Sequence, residues 1–240
     1  MDLAATAWPD TPEETALAMV PVGSTEQHGP HAPLGTDTLT AAAVAEAGAD
    51  AYEAPVAVAP PVPVGIAAEH RNFPGTLWVS PDTFRDYVRE TIESLAYHGW
   101  DRVVVVNGHG GNVDALREVC GTITRSGSAY AVPFTWFEAV DPEAAGLPED
   151  MGHGGALETS LVWHLRPEQV NSERFDDAAV DAAEGWGEWV SGVNLAFDSD
   201  EFTSNGVVGD PRESDATAGQ ALLEQAGAAL AELLAAVEDR

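Results

Sequence analysis

Short apolar runs alternate along the chain with longer stretches of helical spacing, and glycine-rich polar breaks separate them. Residues 16–22 (ALAMVPV) are apolar and closed by Gly23, the pattern of a buried strand that ends in a loop. Thr38 to Ala51 is alanine-rich and helical. Val56 to Val64 (VAVAPPVPV) is apolar but broken by prolines, which cannot donate to a strand ladder, so it can form only an edge or terminating strand. Ser80 and Asp82 flank Pro81 at the head of a well-patterned helix that runs to about Tyr97 and stops at Gly99. Arg102 to Asn107 contains four consecutive valines, which suit a strand covered on both faces, as in parallel sheets. A glycine-rich loop and helix follow from Gly108 to Arg125, then a strand over Tyr130–Trp136 and a helix over Leu157–Leu165. Residues 171–213, rich in Asp, Gly and Ser, read as mostly irregular, and Ala216 to Val237 as a long Ala/Leu helix. This alternation predicts a three-layer α/β/α fold with a mostly parallel central sheet, and such sheets place ligands outside the carboxyl ends of their strands.

Composition narrows the setting. The 240 residues, 45% of them hydrophobic, fit a single α/β domain over residues 1–240. Forty acidic residues against ten basic ones give a formal charge of -30, and every basic residue is arginine. Such a surface repels nucleic acid and anionic membranes, so neither is an expected partner. Seven tryptophans and clear apolar strands argue against acidic disorder. That much like charge destabilises a compact state in dilute buffer and is screened in molar salt, which points to a halophilic, salt-adapted cytoplasm. Cys120 is the only cysteine, so neither an internal disulfide nor a cysteine-based metal site can form. The first residues, MDLAATAWPDTPEE, carry no basic or long apolar segment, so no export signal is expected.

Three constellations carry candidate chemistry. Gly23-Ser24-Thr25-Glu26-Gln27-His28-Gly29-Pro30-His31, with Leu34-Gly35-Thr36-Asp37, falls where the first strand ends. In extended chain, residues two apart point to one side, so Glu26 and His28 can converge, and Asp37 arrives from the next helix near enough to bridge two ions. Asn107-Gly108-His109-Gly110-Gly111-Asn112 follows the valine strand and puts His109 at the same sheet edge; its glycines let backbone approach a ligand closely. The third, Gly152-His153-Gly154-Gly155-Ala156-Leu157-Glu158-Thr159-Ser160, enters a helix. Taken singly, each has a plainer reading: a polar surface loop, a tight turn with an incidental histidine, or a helix whose first turn carries a dipole-compensating acid.

Taken together, the segments GSTEQHGPHAPLGTD, EHRNFPGT (69–76), NGHGGN, HGGALETS and GVVGDP (206–211) resemble the creatininase family in order and spacing. That family includes creatinine amidohydrolase, a formamide hydrolase of flavin and deazaflavin biosynthesis, and a mycofactocin-maturation peptidase. The resemblance implies two divalent metal ions per subunit, with Glu26 and His109 on one, His28 on the other and Asp37 bridging. It also implies a homohexamer. Some members carry an acidic ligand two residues after the histidine matching His109, where this chain has Gly111, so Glu158 becomes the candidate to complete the second site. The family's His-Ala-Gly triplet reads His153-Gly154-Gly155 here.

Histidine and carboxylate ligation without sulfur suits zinc, iron or manganese. Two such ions about 3.5 Å apart make hydroxide available near neutral pH, able to attack an amide carbonyl. His153 is the candidate proton shuttle to the departing nitrogen. His31, Glu69, His70, Asn107 and Gly110 are candidate substrate contacts, and Trp136 a candidate wall for a flat heterocycle. The expected reaction is hydrolysis of a cyclic amide or formamide C–N bond in a small nitrogenous molecule. Gly111 favours a formamide over creatinine. The rival readings are a metal-dependent phosphoesterase and a non-catalytic, metal-stabilised binding module.

Overall fold

A computed structural model describes residues 1–11, 14–149 and 152–240. Strand β1 (Leu17–Val22) leads into helix α1 (Thr36–Ala51). A two-residue strand β2 (Ala57–Val58) follows, then helix α2 (Pro81–Tyr97). Next come β3 (Arg102–Asn107), α3 (Val113–Ser126) and β4 (Tyr130–Thr135). After α4 (Ala156–Leu165), a short helix α5 (Phe175–Val180) and a small hairpin, β5 (Trp189–Val190) with β6 (Val193–Asn194), precede the terminal α6 (Ala216–Glu238).

The four main strands form one parallel sheet in the order β2-β1-β3-β4. Alternation along β3 sends Val103 and Val105 to one face and Val104 and Val106 to the other, and both faces are buried because helices cover each. On one side α2 and α3 pack Phe84, Val88, Ile92, Leu116 and Ile123 against the sheet. On the other, α1, α4 and α6 supply Val44, Leu157, Leu161, Leu222 and Leu230. Each fully buried leucine contributes about 1.5–3 kcal/mol. The expected three layers are therefore present, with the sheet parallel throughout.

Local signals account for the element ends. Ser80 caps α2 by accepting from Thr83 N, and Pro81 occupies its first position. Gly127 closes α3 in the left-handed conformation at φ 79°. The proline-broken run over 56–64 forms only the edge pair Ala57–Val58, with Val62 bridging singly to Val22. Among the described residues no helix is long and apolar enough to cross a membrane.

Candidate metal centre

The carboxyl ends of β1 and β3 lie side by side, with Val22 paired to Asn107. A Cβ on Gly23 would sit 2.4 Å from Thr38 N, and one on Gly108 would sit 2.2 Å from Asp37 O. The first turn of α1 can wedge against both strand ends only because both positions lack a side chain, and this delivers Asp37 to the sheet edge. Asn112 stitches the neighbouring loops, its amide donating to Gly23 O at 3.1 Å and its carbonyl accepting from Ile66 N at 3.0 Å. Asn107 donates to His109 O at 2.8 Å and accepts from His109 N at 3.1 Å, which fixes the turn that carries His109.

Among the described residues three overlapping groups of donor atoms result, each with its atoms within 4.8 Å of one another: Glu26, Asp37 and His109; His28, Asp37 and Glu158; and Glu26, His28 and His153. All six residues are buried. His109 Nδ1 lies 3.1 Å from Glu26 Oε1 and 3.3 Å from Asp37 Oδ2, while His28 Nε2 lies 2.9 Å from Asp37 Oδ1 and 3.7 Å from Glu158 Oε2. Both carboxylate oxygens of Glu26, Oδ2 of Asp37 and Nε2 of His28 are buried with no hydrogen-bond partner among the described residues. Leaving buried acceptors unpaired is costly, so atoms that crowd together without hydrogen-bond geometry fit a shared cation.

The imidazole tautomers agree with that fit. His28 donates from Nδ1 to Glu26 O at 3.2 Å, His109 from Nε2 to Ile66 O at 2.7 Å, and His153 from Nε2 to Gln27 O at 2.7 Å. In each ring the outer N–H is held by a main-chain carbonyl, which turns the inner nitrogen toward the carboxylates as the position able to take a metal, the arrangement of metal-ligating histidines. His70 is oriented the other way. Its Nδ1 accepts from the Gln27 side-chain amide at 2.9 Å, so Nε2 carries the proton and faces Glu26 Oε1 at 3.5 Å.

Protonation follows the same geography. Burial opposes charge on His28, yet Asp37, Glu158 and Glu26 outweigh it and lift this imidazole to about 10. His109 is likewise raised, with burial overcome by Glu26 and Asp37. Asp37 is lowered, because His28 and His109 overcome its burial. Burial raises Glu158 and Glu69. Burial together with neighbouring imidazoles pushes His153 well down, His70 to about 3 and His31 to about 4, so these three are neutral near pH 7. In the metal-free protein, protons on His28 and His109 stand in for cationic charge.

A cavity of about 430 Å³ opens over this cluster. The imidazoles of His70, His109 and His153, the carboxylates of Glu69 and Glu158, and the indole of Trp186 line it, with backbone from Gly110 and Gly111. Three expected substrate contacts fall outside it. Asn107 is fully buried in its turn. His31 binds Thr159 Oγ1 at 2.9 Å and packs edge-on against Phe175, tying its loop to α4 and α5. Trp136 is fully buried in the core beneath α4 and α6, because β4 ends at Thr135 and turns its next residue inward. The aromatic wall is Trp186 instead, edge-on to both His70 and His153.

Gln27 and Ser199 are supporting residues that the sequence pattern did not single out. The Gln27 amide bonds both His70 and Gly206 O, and Ser199 Oγ meets His70 Nδ1 at 3.0 Å. Gln27 had a legible signal, since it alternates out of phase with Glu26 and His28. Val208 pairs through its main chain with His153 in both directions at 2.9 Å, which gives the GVVGDP segment its place at the site. Asp210 caps the next turn and pairs with Arg212.

The sequence profile of the creatininase (creatinine amidohydrolase) family matches residues 2–234. The chain is 36% identical over 217 residues to the mycofactocin precursor peptide peptidase of Mycolicibacterium smegmatis, covering 87% of this chain and 80% of that protein. It is 32% identical over 181 residues to creatinine amidohydrolase of Pseudomonas putida, covering 67% and 68% respectively. The solved structure named Creatininase Mn superposes with a TM-score of 0.80 over 100% of this chain and 99% of that one, at 24% identity, and shares the fold.

Proposed function

Because the chain belongs to the creatininase family of metal-dependent hydrolases acting on carbon–nitrogen bonds, we propose that it hydrolyses a cyclic amide or formamide in a small nitrogenous molecule, using two divalent ions per subunit. The observation that carries this reading is the set of three imidazoles, each anchored outward on a carbonyl and aimed inward at shared, unpartnered carboxylates. In this reading Glu26 and His109 hold one ion, His28 and Glu158 the other, and Asp37 serves both. Zinc, iron and manganese all suit these donors. Divalent metal supplies Lewis acidity there, polarising a carbonyl and making water acidic enough to attack near neutral pH.

The chain's own residues do the rest. Trp186 and the glycine backbone confine the substrate over the cluster. His153 borders the cavity with a neutral ring whose Nε2 is anchored and whose Nδ1 lies 3.9 Å from Glu26 Oε1. It can take a proton from the attacking water and deliver it to the departing nitrogen. Glu158 accepts from Gly154 N at 2.7 Å, which holds the loop that carries His153.

The phosphoesterase reading has no support in the lining, whose described residues include neither arginine nor lysine. A closed structural site is disfavoured by the open cavity beside the cluster. A second substrate reading, cleavage of a peptide bond, is favoured by the identity to the mycobacterial peptidase. Metal-loaded protein assayed in molar salt on formamides, creatinine, short peptides and phosphomonoesters tests all of these. Turnover of phosphomonoesters alone would overturn the proposal.

Residues 1–240 act in this reading as one catalytic unit in a salt-rich cytoplasm, as a homo-oligomer of up to six copies. Trp189, Val190, Val193, Leu195 and Phe197, the last 83% exposed, form an apolar surface on and beside the β5–β6 hairpin that supports association. Sedimentation in molar salt reads the assembly directly.

A further inference from the structure

Glu69 is the one carboxylate lining the cavity that belongs to none of the three donor groups found among the described residues. Its side chain is 22% exposed. Oε1 lies 3.8 Å from His109 Nε2, an atom already committed to Ile66 O. A Cβ built on Gly111 would lie 2.3 Å from Ile66 O, 2.6 Å from His109 Nε2 and 2.7 Å from Glu69 Oε1. Only a glycine at 111 leaves room both for the Ile66–His109 hydrogen bond and for the carboxylate at 69. Among the described residues the lining holds no arginine or lysine, His109 gives up its extra proton when it takes a metal, and Arg71, two residues on, is paired with Asp198. The same cavity presents the indole of Trp186. A carboxylate and an indole bordering one small space suit a positively charged nitrogen group, the first through charge-assisted hydrogen bonds and the second through its π face.

We propose that Glu69 is a specificity-determining residue that selects substrates bearing a protonated amine or guanidine beside the scissile bond. This rests on the amide-hydrolysis reading above and names its substrate class. The idea is testable from two sides at position 69 itself. Glu69→Gln removes the charge and keeps the bulk, while Glu69→Asp keeps the charge and shortens its reach.

The experiment uses the metal-loaded full chain and three formamides of similar size: N-aminoethylformamide (cationic), N-propylformamide (neutral) and N-formylglycine (anionic). Binding is read by calorimetry, turnover by formate release and metal content by mass spectrometry. Wild-type protein should favour the cationic probe over the neutral one by at least about tenfold, the effect of one hydrogen bond to a charged group, and should take the anionic probe least. Glu69→Gln should bring the cationic-to-neutral ratio close to one, and Glu69→Asp should keep part of the preference, both while retaining metal. Equal affinity of wild-type protein for the cationic and neutral probes would overturn the proposal, as would metal loss in Glu69→Gln with all probes weakened alike. A charge preference in binding that vanishes in Glu69→Gln, without turnover of any probe, would sustain the role of Glu69 and remove the amide reading. Turnover without charge preference would do the reverse.

Discussion

His70 presents Nε2 to Glu26 Oε1 at 3.5 Å while Gln27 and Ser199 hold its Nδ1, so this imidazole orients a carboxylate and competes for no ion. His70→Ala should weaken metal binding by about 10- to 100-fold, the usual effect of removing a group that positions a ligand. It should also lower stability by about 1–3 kcal/mol, because the Gln27 amide loses a buried acceptor. Metal titration and thermal melting check both, and unchanged affinity would remove the positioning role.

Asp37 contributes to two donor groups, one with Glu26 and His109 and one with His28 and Glu158. Asp37→Ala should abolish activity and lower bound metal more than replacement of Glu26, His28, His109 or Glu158. Elemental analysis of the five variants ranks them, and full occupancy without Asp37 would end the bridging assignment.

His153→Ala should retain metal and lose about 10²- to 10⁴-fold in turnover, the span of general acid–base catalysis. The loss should be greatest for amides with a basic leaving amine. His153 Nδ1 also lies 3.9 Å from Glu26 Oε1. If this nitrogen is a ligand, the variant will lose metal and slow on every leaving group equally, a pattern incompatible with a shuttle.

Metal uptake should release protons. His28, held at about 10 by Asp37, Glu158 and Glu26 against its burial, is charged at neutral pH without metal, and its inner nitrogen must lose that proton to bind. Affinity should therefore rise with pH up to about that value, with at least one proton released per protein near pH 7. Calorimetry in buffers of different ionisation enthalpy counts the protons. Affinity flat across about pH 6–9 would contradict the charged state.

The charge of -30 predicts a fold that depends on salt. The melting temperature should rise markedly between dilute buffer and molar potassium chloride, where the screening length falls to about 3 Å. Equal melting in the two would refute salt adaptation.

The sheet and its helices were legible because their signals are local. Four valines in β3, Ser80-Pro81 at the head of α2 and the glycines after β1 and β3 each act over a few residues. The candidate ligands were legible because they follow strand ends, which a parallel sheet gathers at one edge. Trp186 was not, since residues 181–201 have no apolar period and their course is fixed by distant contacts such as Ala183 bridging Val208. Trp136 misled because its position at a strand end resembles that of a site residue, whereas only packing under α6 decides which way the indole turns. Glu69 could be marked as polar and near a motif, but its tie to Gly111 spans 41 intervening positions and exists only in three dimensions.

The carbonyls that set the three imidazole tautomers belong to Glu26, Gln27 and Ile66, and a carbonyl survives any replacement of its own side chain. A lineage descended from this protein can therefore vary position 66 widely while the nitrogens stay presented. Its metal preference is open to drift through the carboxylates and His70 and closed to drift through the histidine anchors. For an engineer, metal exchange is to be sought at those acids, with the ring orientations already secured by the main chain.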